Sequence, residues 1–154
     1  MSGTSSKWVV ILLVAIPALF VAGVYVRNKA VGPTGWAEDN TIKALKAKMK
    51  DPDSMVIRSS YVVLKTNDKE DTEIFICGIV DGKNSFGGYA GGTRFASRSV
   101  SSKRLDTFDT YSVEMESREG KALASSVKWL STFEKVYWNN YCVDAAHPPL
   151  TPTK

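Results

Sequence analysis

The sequence predicts an α+β fold: a small antiparallel sheet of about four strands, one short helix before it and a long C-terminal helix packed on it, all behind an N-terminal transmembrane helix. Three observations carry this. Residues 8–26 hold no charged side chain. Ile42, Leu45 and Met49 mark one face of a helix among lysines. Four runs of β-branched and aromatic residues lie between Met55 and Glu116, closed off by polar or glycine-rich turns.

As a helix, Trp8 to Val26 would be about 29 Å long, close to the hydrocarbon thickness of a bilayer. Trp8 and Tyr25 stand near its ends, where amphipathic rings favour the interface, and Pro17 would bend it. A secretory signal with an apolar core from Val9 to Phe20 is the competing reading, with Val21-Ala22-Gly23 as an imperfect cleavage site. The apolar run continues through Val24-Tyr25-Val26, which favours an uncleaved anchor. The expected organisation is a tail over residues 1–7, an anchor over 8–26, a linker over 27–36, a folded domain over 37–146 and a disordered tail over 147–154.

Within the domain, Asp39 to Lys50 reads as an amphipathic helix capped by Asp39 or Asn40 and ended by Asp51-Pro52. Strands follow at Met55 to Leu64, Glu73 to Val80, Thr93 to Val100 and Thr110 to Glu116. In the fourth, Tyr111, Val113 and Met115 alternate with polar residues, so all three are expected on the inner face. After Gly120 one continuous helix is expected to Tyr141, with Leu123, Val127, Leu130, Phe133 or Glu134, Tyr137 and Tyr141 on one stripe that Trp129, Val136 and Trp138 widen, so all of it should be covered. His147 to Lys154 is proline-rich and should lack regular structure.

Charge and catalytic inventory narrow the function. Lys and Arg number 20 against 16 Asp and Glu, a net charge of +4 spread along the chain, so no nucleic-acid partner is expected. The single histidine, His147, lies in the proline-rich tail, where it cannot hold a base in position. One histidine and two distant cysteines build no metal centre, and the serines lack a placed base. No catalytic residue and no cofactor is assigned, and an enzyme is the less favoured reading. Gly87, Gly88, Gly91 and Gly92 do not form a phosphate loop, because Gly92 runs into Thr93-Arg94 and a strand rather than G-K-[ST] and a helix. The same stretch holds aromatics between glycines, and Asn84, Ser85, Phe86, Tyr89 and Arg94 are the candidate partner surface.

Cys77 and Cys142 are the only cysteines. In an oxidising compartment an even pair reads first as a disulfide; in a reducing one, as two buried thiols. The positive-inside rule is balanced or slightly favours a cytoplasmic C-terminal domain, because Lys7 and the amino terminus face Arg27, Lys29 and, further on, Lys43; the cysteine pair argues for export.

Lys50-Asp51-Pro52-Asp53-Ser54, followed by Cys77-Gly78-Ile79-Val80, Lys83-Asn84-Ser85-Phe86-Gly87-Gly88-Tyr89, Gly91 and Phe95, resembles a group of small exported bacterial domains. Their pattern runs K-D-P-x-S, then C-G-x-V-N-x-K-N-x-x-G-G-Y-x-G, and closes with an aromatic helix and a cysteine. The likeness spans Lys50 to about Cys142, and this chain departs from the pattern at Asp81-Gly82. It implies a Cys77–Cys142 bridge and an extracytoplasmic location, and no activity. The expectation is therefore a non-enzymatic binding or accessory domain. It would sit on the inner membrane as a single-pass protein facing the periplasm, or be secreted after signal cleavage, and would contact an envelope or membrane protein. The alternatives are a small envelope hydrolase or lysis-type factor, or a phage- or plasmid-borne exclusion or immunity factor.

Overall fold

The computed structural model describes residues 31–67, 70–89 and 91–152. The expected membrane segment, Trp8 to Val26, lies outside them; among the described residues no helix is long and apolar enough to cross a bilayer. The order is helix α1 (residues 31–48), strands β1 (Val56–Thr66), β2 (Asp71–Asp81), β3 (Thr93–Ser102) and β4 (Thr107–Met115), helix α2 (Arg118–Ser126) and helix α3 (residues 132–141). The four strands form one antiparallel meander in the order β1-β2-β3-β4.

Alternation along the strands makes two cores, one on each face of the sheet. On one face Ile74, Ile76, Val80, Phe95 and Val113 meet Ala37 and Leu45 of α1. On the other, Val63, Phe75, Cys77 and Ala96 meet Phe133 and Cys142, with Tyr137, Trp138 and Tyr141 packed alongside. β2 serves both cores, which is why Ile74 to Gly78 is buried without interruption. Gly78 is required there. A Cβ on it would stand 2.1 Å from the Ser59 carbonyl oxygen and 3.0 Å from the Phe95 ring, where β1 bulges between Ile57 and Ser59.

Several expectations are corrected. Helix α1 takes in residues 31–36, where Pro33 and Gly35 predict a linker. Trp36 sets its ring edge-on to Phe108 at 5.5 Å and Ala37 is fully buried, so packing overrides poor helix propensity. Its inner stripe is Ala37, Thr41 and Leu45, and Ile42 is exposed. Thr41 can be buried because its hydroxyl shares hydrogen bonds with Ala37 O (2.7 Å) and Ser97 Oγ (2.8 Å). In β4 a register shift between Arg98 and Ser99 on the facing strand turns Tyr111 outward, whereas Val113 stays in the core.

The long C-terminal helix is two short ones. α2 stops because Lys128 adopts φ 52, the left-handed conformation that closes a helix: Trp129 N–H donates to Ala124 O (2.9 Å) and Lys128 N–H to Ser125 O (3.3 Å). α3 then starts with a capping box. Glu134 N–H donates to Ser131 Oγ (3.1 Å), and Ser131 N–H donates back to the Glu134 carboxylate (2.7 Å). Residues Glu134–Trp138 are wound as a π-helix, which packs Phe133, Tyr137 and Trp138 against the sheet. The break leaves Leu123, Val127, Trp129 and Val136 exposed rather than covered. The tail from His147 has neither helix nor strand, yet it is docked: His147 stacks on Tyr61 at 3.7 Å, and Asn139 exchanges two hydrogen bonds with the Leu150 backbone.

Candidate protein-contact surface

Three segments meet at one end of the sheet: the loop from β2 to β3, the short 3₁₀ turn Pro52–Ser54 and the start of α2. The loop is ordered by its own sequence. Lys83 and Tyr89 pair as an isolated antiparallel bridge. Inside it Asn84 N–H donates to Gly88 O (2.8 Å) and Gly87 N–H to Asn84 O (3.0 Å). The Asn84 side-chain oxygen accepts from Phe86 N–H (2.9 Å) and Gly88 N–H (3.2 Å). Four hydrogen bonds thus involve one asparagine, and Gly87 supplies the φ of +79 that the turn needs. Asn84 is a structural residue of the loop.

What the loop presents is Phe86, 97% exposed at its tip. Ser85 beside it lies 3.5 Å from Lys50 Nζ. Tyr89 is half-exposed under the Arg58 guanidinium, 5.0 Å from its ring centre, and Arg58 is paired with Asp81 at 3.0 Å. The base of the loop is pinned to the Pro52–Ser54 turn: Lys83 N–H donates to Ser54 Oγ (2.9 Å), and the same hydroxyl donates to Asp51 O (2.9 Å). The K-D-P-x-S and K-N-x-x-G-G-Y stretches, far apart in sequence, are therefore one local structure.

Of the five residues expected to form the surface, Asn84, Ser85, Phe86 and Tyr89 are together on this loop, whereas Arg94 is not. The Arg94 side chain is only 20% exposed and lies against the opposite core. It makes a two-pronged pair with Glu116 (3.0 and 2.5 Å), reaches Glu134 at 2.6 Å, and stacks over Trp138 at 5.3 Å. Its partners come from the end of β4 and from α3, so one guanidinium ties both to β3. Burial works against the charge on Glu134, but hydrogen bonds from Arg94 and the Ser131 N–H outweigh it and hold this carboxyl below the ordinary carboxylate range. A clue to this role lay in S-T-F-E at Ser131–Glu134, the capping-box pattern, which marks a helix start and places Glu134 in the first turn.

Cys77 and Cys142 are joined in a disulfide, with Cα atoms 5.7 Å apart and both residues buried. The bridge fastens the end of α3 to the middle of β2. Tyr61 reinforces it by donating to Cys142 O at 2.9 Å.

His147 sits beside Asp144, its Nδ1 2.8 Å from the carboxylate, and Asp144 also accepts the N–H groups of Ala146 and His147. That arrangement closes a turn. A cleft of about 510 Å³ between α1 and β4 is lined by Asn40, Lys43, Lys48, Tyr111, Ser112 and Glu114. Its Lys48 is engaged with Val113 O and Glu114. Compared with protein families, curated proteins and solved structures, the chain matches none.

Proposed function

We propose that the chain is a membrane-tethered, disulfide-stapled binding domain that contacts an envelope protein through the loop from Lys83 to Tyr89, in a periplasmic or equivalent oxidising compartment. The observation that carries this is Phe86, almost wholly exposed at the tip of a loop that its own hydrogen bonds make rigid. A large apolar ring held out in water costs free energy; burying it in a partner's pocket would contribute about 2–3 kcal/mol. Because Asn84 already orders the loop, binding would lose little conformational entropy, which is how a few residues come to dominate an interface. The Cys77–Cys142 bridge supports the oxidising compartment, and the uncharged run from Trp8 to Val26 supports the tether. The resemblance to small exported bacterial domains points the same way.

The test is site-specific photo-crosslinking in native membranes, with a benzophenone amino acid at position 86 and, as control, at the exposed Leu105 on the far β3–β4 turn. A discrete protein adduct at 86 that is absent at 105 and lost on competition with untagged wild-type chain, but not with Phe86→Ala chain, supports the reading. Equal labelling at both positions, or none at 86, overturns it.

A further inference from the structure

We propose that a second surface, built from Leu123, Val127 and Trp129, docks onto an anionic lipid bilayer. It is separate from the β2–β3 loop and does not require residues 8–26 to span a membrane. Leu123 on α2 and Val127 at its C-cap are one turn apart. With Trp129 and Leu130 they border a cleft of about 260 Å³. Leu123 is 68% exposed and Trp129 57%, although tryptophan is usually well buried on average. Trp129 is held out because Lys128 takes the left-handed conformation that a glycine would take more cheaply. The chain thus keeps a strained lysine and an exposed tryptophan side by side.

Charge identifies the occupant. Between residues 117 and 137 the exposed cations are Arg118, Lys121, Lys128 and Lys135, and the one exposed acid is Glu119. Glu134 is already engaged by Arg94. Lys135 lies over the Trp129 ring at 4.9 Å, and Lys121, whose exposed ammonium is 3.9 Å from the buried Glu116 carboxylate, lines the same cleft as Leu123. Lysine is depleted in protein–protein interfaces, where its long chain must be immobilised and its charge desolvated. At a lipid surface the same residue is favoured: the stem lies along the apolar boundary and the ammonium stays among the phosphates. Tryptophan likewise prefers the headgroup level, apolar body inward and N–H outward. A short helix with apolar residues on one side and lysines around them fits shallow interfacial burial.

The full chain carrying the benzophenone amino acid at position 129, and separately at 123 and 105, is combined with vesicles of phosphatidylcholine alone or mixed with phosphatidylglycerol. After illumination, adducts are identified by mass, and melting curves check that each variant is folded. Phospholipid adducts at 129 and 123 in the phosphatidylglycerol vesicles, but not at 105, are expected. The triple change Lys121→Gln, Lys128→Gln, Lys135→Gln should lower their yield up to about a hundredfold, since each lysine near such a surface contributes a factor of about five. No lipid adduct at 129 and 123, equal adducts at 105, or adducts to another protein chain would overturn the proposal. An N-terminal anchor alone would bring the chain to the vesicle without distinguishing 129 from 105.

Discussion

Ser54 Oγ accepts the backbone N–H of Lys83 at 2.9 Å and donates to Asp51 O, so one hydroxyl fastens the base of the Phe86 loop to the turn before β1. Asp51 to Ser54 is a 3₁₀ turn set by Pro52, which places that hydroxyl beside the end of β2. Ser54→Ala should therefore cost about 1 kcal/mol, the net value of a hydrogen bond of this kind. Hydrogen exchange should speed up at Lys83 to Gly88 while the core of β2 is unchanged. Equal exchange in the loop of both proteins would show that the pin is idle.

The bridge is a larger effect. Cys77 and Cys142 are 65 residues apart, and closing a loop of that length stabilises the fold by about 4 kcal/mol in the chain-entropy model. The double change Cys77→Ala, Cys142→Ala should lower the melting temperature by roughly 10–25 °C for a domain of this size. Thiol titration of the unreduced, denatured wild type should find no free cysteine. Two titratable thiols would remove the bridge and the argument for an oxidising compartment with it.

Gly78 gives a sharper test of the sheet. Its missing Cβ is what lets the Phe95 ring and the Ser59 carbonyl close over β2 at the bulge. Gly78→Ala must push the backbone of β1 away, and overpacking of this kind costs at least about 2 kcal/mol. A thermal or urea melt measures it. A neutral substitution would mean that the bulge is free to relax.

The sheet was legible in the sequence because each strand is a run of β-formers between turn signals, and the observed strands differ from the expected ones only at their ends. Ile74-Phe75-Ile76 announced a strand buried on both faces, and the two cores confirm it. Arg94 was misplaced because its number lies beside the loop, while its pleat position turns it to the α3 face. Alternation from Phe95 inward would have put the two residues on opposite sides. The break between α2 and α3 was hidden because the residue that makes it is a lysine and not a glycine. A left-handed lysine leaves no mark in composition.

That lysine makes a prediction of opposite sign. Lys128 pays conformational strain at φ 52, and glycine does not. Lys128→Gly should stabilise the fold by about 1 kcal/mol and preserve the Trp129 N–H to Ala124 O bond. Because the change also removes one cation from the Trp129 surface, vesicle labelling at position 129 should fall while stability rises. Those two readouts moving in opposite directions would separate what the residue does for the fold from what it does at the surface.

Glu134 sets the acid behaviour of the α3 end. Burial opposes its charge, but Arg94 and the Ser131 N–H hold its carboxyl below the ordinary carboxylate range. A folded-state value below the unfolded one means that the unfolded chain binds the proton more readily. The stabilisation is therefore complete above about pH 5 and is lost as the pH falls through and below the usual glutamate value near 4.3. Glu134→Gln keeps the size of the side chain, removes the charge that faces Arg94 and replaces an acceptor of the Ser131 N–H by a weaker one. The variant should be less stable at pH 7, and the gap to wild type should close as the pH is lowered toward 3. Urea melts at several pH values measure it. A gap that stayed constant across that range would mean that Glu134 acts through packing alone, and that Glu116 by itself satisfies the Arg94 guanidinium.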